Sequence, residues 1–215
     1  VIRKGEAWGH PATGAPDATG HGGDAALGRL VAHHEGALLQ FVPDPACDLA
    51  RAVGLTTESV ATTEVVLDAL RVDTEALSVN MIVLGVPPDR LRWWHRTAAV
   101  TVRVDGRTAY EGPATTVVIA NGQYLRGHDV VPRGHPGDGR GEVQVYWLRP
   151  GERAAMRRRL RGGVHVPHPR ITSASGRWVE VSWARRQTAE VDGTAALPRT
   201  AAAVEVVPGA YRLLV

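Results

Sequence analysis

The sequence predicts an α+β protein of two unequal lobes, a reduced α/β lobe over residues 1–61 and a β-sandwich lobe over residues 62–215. Two patterns carry that prediction. Between Ala37 and Gly54 the chain reads strand, loop, helix: the apolar run ALLQFV suits a buried strand, Pro43-Asp44-Pro45 breaks it, and Ala46 to Val53 is a helical run stopped by Gly54. From Thr62 onward, short β-rich runs follow one another with turn residues between them, as in a sandwich. A length of 215 residues allows one substantial core or two small ones sharing a boundary, and 44% apolar with 22% charged residues is ordinary for a globular chain.

Taken in order, the first 30 residues are rich in Gly, Pro and Asp, with an apolar hint at Val1-Ile2 and a helical stretch from Asp24 to His33 that places Ala25, Ala26, Leu30 and Val31 at helical spacing. After the turn at Glu35-Gly36 come the strand and helix already described. VVLDALRV and ALSVNMIVLGV are β-rich runs joined by Asp73-Thr74-Glu75, and AAVTVRV turns at Asp105-Gly106 into RTAYEG, a strong hairpin signal. Further strands are expected at Thr116 to Ala120, Val143 to Leu148, Trp178 to Ala184, Ala189 to Val191, Ala202 to Val207 and Tyr211 to Val215, interrupted by a helix over Gly151 to Leu160. No internal repeat or low-complexity linker is present in the sequence.

The charge balance narrows the function classes. A formal charge of +3 lacks the large positive field of a non-specific nucleic-acid binder, so no nucleic-acid partner is expected. A single cysteine, Cys47, excludes an internal disulfide and fits a reducing compartment. The first ten residues, VIRKGEAWGH, lack the apolar stretch of a signal peptide, and no apolar run approaches the ~18 residues of a membrane span, so a cytoplasmic location without a transmembrane segment is expected.

The densest chemistry follows the strand at Thr116 to Ala120. The chain turns at Asn121-Gly122 and then places His128, Asp129, Arg133, His135 and Asp138 within eleven positions of one loop. These side chains suit a polar pocket at the strand's mouth; read without a ligand, Asp129 and Asp138 satisfy loop N–H groups instead. His165 and His168 are three apart, but Pro167 and Pro169 forbid the helix that would face them on one metal, so no metal role is assigned. His33-His34-Glu35 reads as a solvated helix end. Arg153, Arg157, Arg158, Arg159 and Arg161 form a basic helix whose adjacent members fan apart: a solvated face, or a contact for a phosphate, an acidic partner or an anionic membrane surface. Cys47 stands at a helix start, where the dipole would lower its pKa. Trp93-Trp94 beside His95 reads as packing or as an interface patch.

Five stretches in order, NMIVLG at Asn80, VVIANGQY, VVPRGHPGDGRGEVQV, GGVHVPHPRI, and AEVDGT followed by VEVVPGAYRLLV, resemble the C-terminal domain of the diacylglycerol kinase and bacterial lipid kinase family, which shares its fold with NAD kinases. The likeness spans about Thr62 to Val215 and implies an NAD kinase-like fold with the polar loop beside a nucleotide cleft between the lobes. In that family the long loop carries a Pro, a pair of Asp and a Gly; here Pro132 is followed by Gly137-Asp138-Gly139, with one of the two carboxylates replaced.

The resemblance also exposes departures. The family's Gly-Gly-Asp-Gly-Thr loop is represented by Gly22-Gly23-Asp24-Ala25-Ala26, and its Gly-Thr-Gly-Asn-Asp loop by Asp44-Pro45-Ala46-Cys47-Asp48, which keeps Asp48 but neither glycine. Where the family has an Asp-Gly-Glu turn with a general base, this chain has Asp192-Gly193-Thr194, and threonine cannot accept a proton near neutral pH. The candidate catalytic residues are therefore Asp48, His135, Asp138 and Asp192, and the candidate ligand-binding residues Asn121, His128, Asp129, Arg133 and Thr194. Three functions are expected to compete: a kinase-like scaffold turned to another small molecule, an active kinase using ATP and magnesium with substituted machinery, and a structural subunit contacting a protein partner or a second copy through Trp93-Trp94 and the Arg face.

Overall fold

Over residues 8–57, 62–73 and 76–215, which the computed structural model describes, the chain folds around one large sheet that curls into a sandwich and reaches into a small α/β lobe. The Val1-Ile2 run, Thr74 and Glu75 of the expected turn, and the expected lobe boundary at residue 61 lie outside the described residues. In order the elements are β1 (His10–Pro11), β2 (Ala18–Gly22), α1 (Asp24–His33), β3 (Leu38–Pro43), α2 (Asp48–Val53), β4 (Thr63–Val72), β5 (Ala76–Ser78), β6 (Met81–Gly85), β7 (Ala98–Val104), β8 (Arg107–Ala114) and β9 (Thr116–Ala120). Then follow β10 (Tyr124–Leu125), β11 (His128–Asp129), β12 (Gly141–Tyr146), α3 (Arg153–Leu160), β13 (Ile171–Gly176), β14 (Trp178–Val191) and β15 (Thr194–Leu214).

The α/β lobe is built on β2 and β3 side by side in parallel, with β15 parallel to β3 through Arg212 and Leu213. α1 covers this sheet with Leu27 and Val31, one turn apart on its buried face, packed among Leu39, Phe41, Leu49, Leu67, Tyr211 and Leu213. β15 is therefore shared. Its first part forms a hairpin with β14, and β4 runs antiparallel to it from Val204 to Leu214 across a bulge between Val207 and Tyr211.

In the sandwich lobe β14 pairs with β7 at one end and β6 at the other, and β6, β9, β12 and β13 follow in order. Every residue of β6 and β9 is buried because both faces are covered. Ile82 and Leu84 point into the sandwich core with Val102, Val145, Val181 and Val204. Met81 and Val83 point the other way, under Met156 and Leu160 of α3.

Several expectations change in detail. ALSVNMIVLGV is two strands rather than one, because the Asp192 carboxylate accepts the N–H groups of Val79, Asn80 and Met81 and bends the chain there. The runs at Trp178 to Ala184 and Ala189 to Val191 are one irregular strand, as are those at Ala202 to Val207 and Tyr211 to Val215. ITSASG and ATGHG form β13 and β2, although neither has an apolar pattern; their neighbours supply the ladder. Among the described residues no helix is long and apolar enough to cross a membrane.

Candidate functional site

Three carboxylates converge where the lobes meet, and each arrives on a different turn. Asp192 stands in the β14–β15 turn with φ +50°, followed by Gly193 at +74°, the left-handed pair that suits a two-residue hairpin. Its Oδ1 accepts Ser78 Oγ–H at 2.6 Å and the N–H groups of Asn80 and Met81 at 3.0 Å each, while Oδ2 accepts Val79 N–H at 2.9 Å. Burial raises its pKa and these bonds oppose the rise without cancelling it. α1 comes close to this turn at Gly28, where a Cβ would stand 3.0 Å from Asp192 Oδ2 and 3.2 Å from Leu77 O. A side chain there would push the helix off the hairpin.

Asp24 opens α1 directly after Gly22-Gly23. Its Oδ1 accepts the Cys47 thiol at 3.1 Å and Leu49 N–H at 2.9 Å, and its Oδ2 accepts Asn80 Nδ2–H at 2.6 Å. Burial, then the neighbouring Asp192, pushes its pKa up to about 7. The Cys47 thiol is driven far above its ordinary range by burial and by the Asp24 carboxylate it faces, which reverses the lowering expected from its place at a helix start. α2 has six residues, and its dipole is outweighed by a buried anionic neighbour.

Asp48, at the start of α2, accepts the N–H of Arg126 and, at 2.8 Å, that of Gly127, and so fastens α2 to the small β10–β11 hairpin. Burial raises the pKa of Asp48, opposed by these two bonds. Arg126 is itself held by Asp89 at 2.7 Å and Glu190 at 2.8 Å. Between these groups lies a cavity of about 360 Å³ lined by Gly23, Asp24, Arg29, Asp48, Arg126 and Thr194, among others. A second cavity of about 300 Å³ shares Ala25, Arg29, Asp192 and Thr194 with it.

The start of α1 would ordinarily suit an anion. Here Asp44 stands beside it: a Cβ on Gly23 would lie 3.5 Å from the Asp44 carboxylate, whose Oδ1 also accepts Ala46 N–H at 2.8 Å. A phosphate approaching this turn meets a negative charge, and one of the donors that a glycine loop would offer is engaged. The residues present do not fit a triphosphate. Among the described residues no group of three or more His, Cys, Asp or Glu side chains is arranged to hold a metal ion.

The structure brings Asp48, Asp192 and Thr194 to this cleft and distributes the other candidates elsewhere. Asn121 is fully buried beneath it, donating from Nδ2 to Asp68 O at 2.8 Å and Val79 O at 2.9 Å. His128 Nδ1 is 3.1 Å from Arg126 O, and Asp129 accepts Gln123 Nε2–H at 2.9 Å. Arg133 lines a separate cavity of about 270 Å³ with Pro132, Glu142, Gln144 and Ser173. His135 packs on Trp8 at 4.8 Å, and Asp138 accepts Arg140 N–H at 3.0 Å in an Asx turn. The loop's polar residues thus do not converge on one pocket. His165 is buried, stacked on Tyr146, with its pKa pushed down to about 4 by burial.

Sequence reasoning passed over Asn80, Arg126 and Asp68 as site residues. Asp68 accepts Gly139 N–H at 2.6 Å and Gly209 N–H at 2.9 Å, joining the polar loop to the bulge of β15. A signal existed for two of them: Asn80 and Asp68 each interrupt an otherwise apolar strand run.

The fold is that of an NAD kinase-like β-sandwich joined to a small parallel α/β lobe. Residues 57–215 match the YegS C-terminal NAD kinase beta sandwich-like domain, and the chain belongs to that family. Among solved structures it is similar to a diacylglycerol kinase from Bacillus anthracis Sterne, at 17% identity and a TM-score of 0.74 over 92% of this chain and 76% of that one. It is also similar to an NAD kinase from Archaeoglobus fulgidus in complex with ATP, at 12% identity and a TM-score of 0.50 over 93% of this chain and 78% of that one. At these identities the likeness is one of fold. No curated protein matches the chain.

Proposed function

We propose that this kinase-family chain binds a small molecule in the cleft between α1, α2 and the β14–β15 turn, and does so without ordinary lipid phosphorylation. The observation that carries the reading is the state of the three carboxylates: both oxygens of Asp24, Asp48 and Asp192 accept hydrogen bonds from the protein itself. A general base needs a lone pair aimed at the acceptor hydroxyl, and of the roughly four such sites on a carboxylate four donors occupy those of Asp192 and three those of Asp24. Asp44 beside α1 and Thr194 in place of a carboxylate support the same reading. Asp138 does not line this cleft and is engaged with its own turn.

A thermal-shift titration with ATP, ADP and NAD, each with and without magnesium, tests this. A ligand that binds only the folded state stabilises it, by about 2.7 kcal/mol at a hundred times its Kd. The expected response to every nucleotide is flat. A magnesium-dependent rise in Tm with ATP would favour the rival reading, an active kinase in which Asp48 or Asp192 rearranges to serve metal or base. A fragment panel on the wild type and on Ala25→Phe, which fills the cleft, gives the positive arm: hits lost in the variant are expected, and a panel without hits favours a structural subunit.

A further inference from the structure

We propose that the face carrying Trp93 and Trp94 docks on the surface of an anionic lipid bilayer. The two indoles are 69% and 57% exposed and meet edge to face at 5.5 Å between ring centroids. Large aromatic side chains left in water are costly unless something covers them. Here the exposure is held in place by the fold. The guanidinium of the buried Arg153 donates from Nη1 to Arg92 O at 2.9 Å, Trp93 O at 3.2 Å and His95 O at 2.7 Å. Arg157 donates to Leu91 O, and Arg92 N–H donates to His95 Nδ1 at 2.9 Å. Two residues of the basic helix thus serve as struts for the aromatic turn, which leaves the indoles on a fixed platform.

The chemistry around the platform identifies the occupant. Trp93 and Trp94 border an open depression of about 590 Å³ with Trp147, Arg96, Arg149 and Arg153, and among the described residues no Asp or Glu lines it. Arg185 adds a further cation, donating to Thr97 O at 3.2 Å. The acid at the margin, Glu152, is paired with Arg170 at 3.2 Å, and that guanidinium in turn lies 5.0 Å over Trp147. Indole rings favour the water–hydrocarbon boundary of a bilayer, and arginines favour lipid phosphates. A surface of one sign with aromatics at its centre combines the two signals that interfacial binding needs. This inference is independent of the ligand proposed for the cleft.

The test is co-sedimentation of the whole chain with vesicles of phosphatidylcholine alone and of phosphatidylcholine with about a third phosphatidylglycerol, at about 0.05 M and about 0.5 M salt. Expected is partition onto the phosphatidylglycerol vesicles at low salt, with a blue shift of tryptophan emission and quenching by brominated lipid. Trp93→Ala/Trp94→Ala and Arg96→Glu/Arg149→Glu should each weaken partition at least about tenfold while keeping the wild-type circular dichroism and Tm, since these side chains lie at the surface. No partition by the wild type, equal partition onto neutral vesicles, or partition unchanged in the tryptophan variant overturns the proposal. A concentration-dependent dimer lost in the tryptophan variant, with vesicles left unbound, overturns it in favour of a second copy.

Discussion

Asp24 sits at the centre of the buried acidic group, and its raised pKa makes the fold sensitive to pH. The carboxyl titrates near 3.8 when unfolded and at about 7 when folded, so the folded state binds more protons between those values. Its contribution to stability is complete below about 3.8 and lost as pH rises through about 7. Denaturant melts should therefore show this contribution falling from pH 5 to pH 7.5, and Asp24→Asn should flatten the slope. A variant with the wild-type slope would show that another group carries it. Asp192 matters differently: it is the acceptor for four donors, and Asp192→Asn turns an amide N–H toward them. A loss of roughly 3 kcal/mol is expected in urea unfolding, because buried bonds to a charged acceptor are among the more costly to remove. The same variant removes a charge that raises the pKa of Asp24, so the midpoint of the pH dependence should move to lower pH.

Among the elements, the β10–β11 hairpin is a two-residue ladder that could not persist alone, and Asp48 is what joins it to α2. Asp48→Ala should cost roughly 1–3 kcal/mol and should raise amide exchange at residues 124–129 well before the sandwich opens. Uniform exchange across the molecule would assign Asp48 to the global fold instead. How far these elements can be read from sequence depends on which force makes each. Apolar runs such as TVVIA, the Asp105-Gly106 turn and the Asp24 helix start announce themselves locally. β13 and β2 do not, because their ladders are imposed by β12 and β3. The candidate site divides in the same way. Asp48, Asp192 and Thr194 are found through family spacing, whereas the destinations of Arg133, His135 and Asp138 depend on how a long loop folds back on Trp8 and β4. The fate of Cys47 was set by a carboxylate 23 positions away, beyond any local pattern.

On the scale of the whole molecule, β15 is the member common to both lobes, with 21 residues that border β14, β4 and β3. A chain ending at Pro208 would lack the Tyr211 to Leu214 pairing with β4, the parallel contact with β3 and the Gly209 N–H that Asp68 holds. Such a chain should lose its cooperative thermal transition and become protease-sensitive from β2 to α2; a wild-type melt would refute the role given to β15. The same arrangement bears on how the protein is made. β3 is flanked by β2 and by β15, so the α/β lobe lacks one wall until β15, far downstream of β3, has been translated. At ~5–20 residues per second that interval is on the order of 10 s or more, during which the open edge of β3 is available to other nascent chains and to chaperones. A silent codon change that slows translation between β3 and β15 would lengthen that exposure and lower the soluble yield without altering a single side chain.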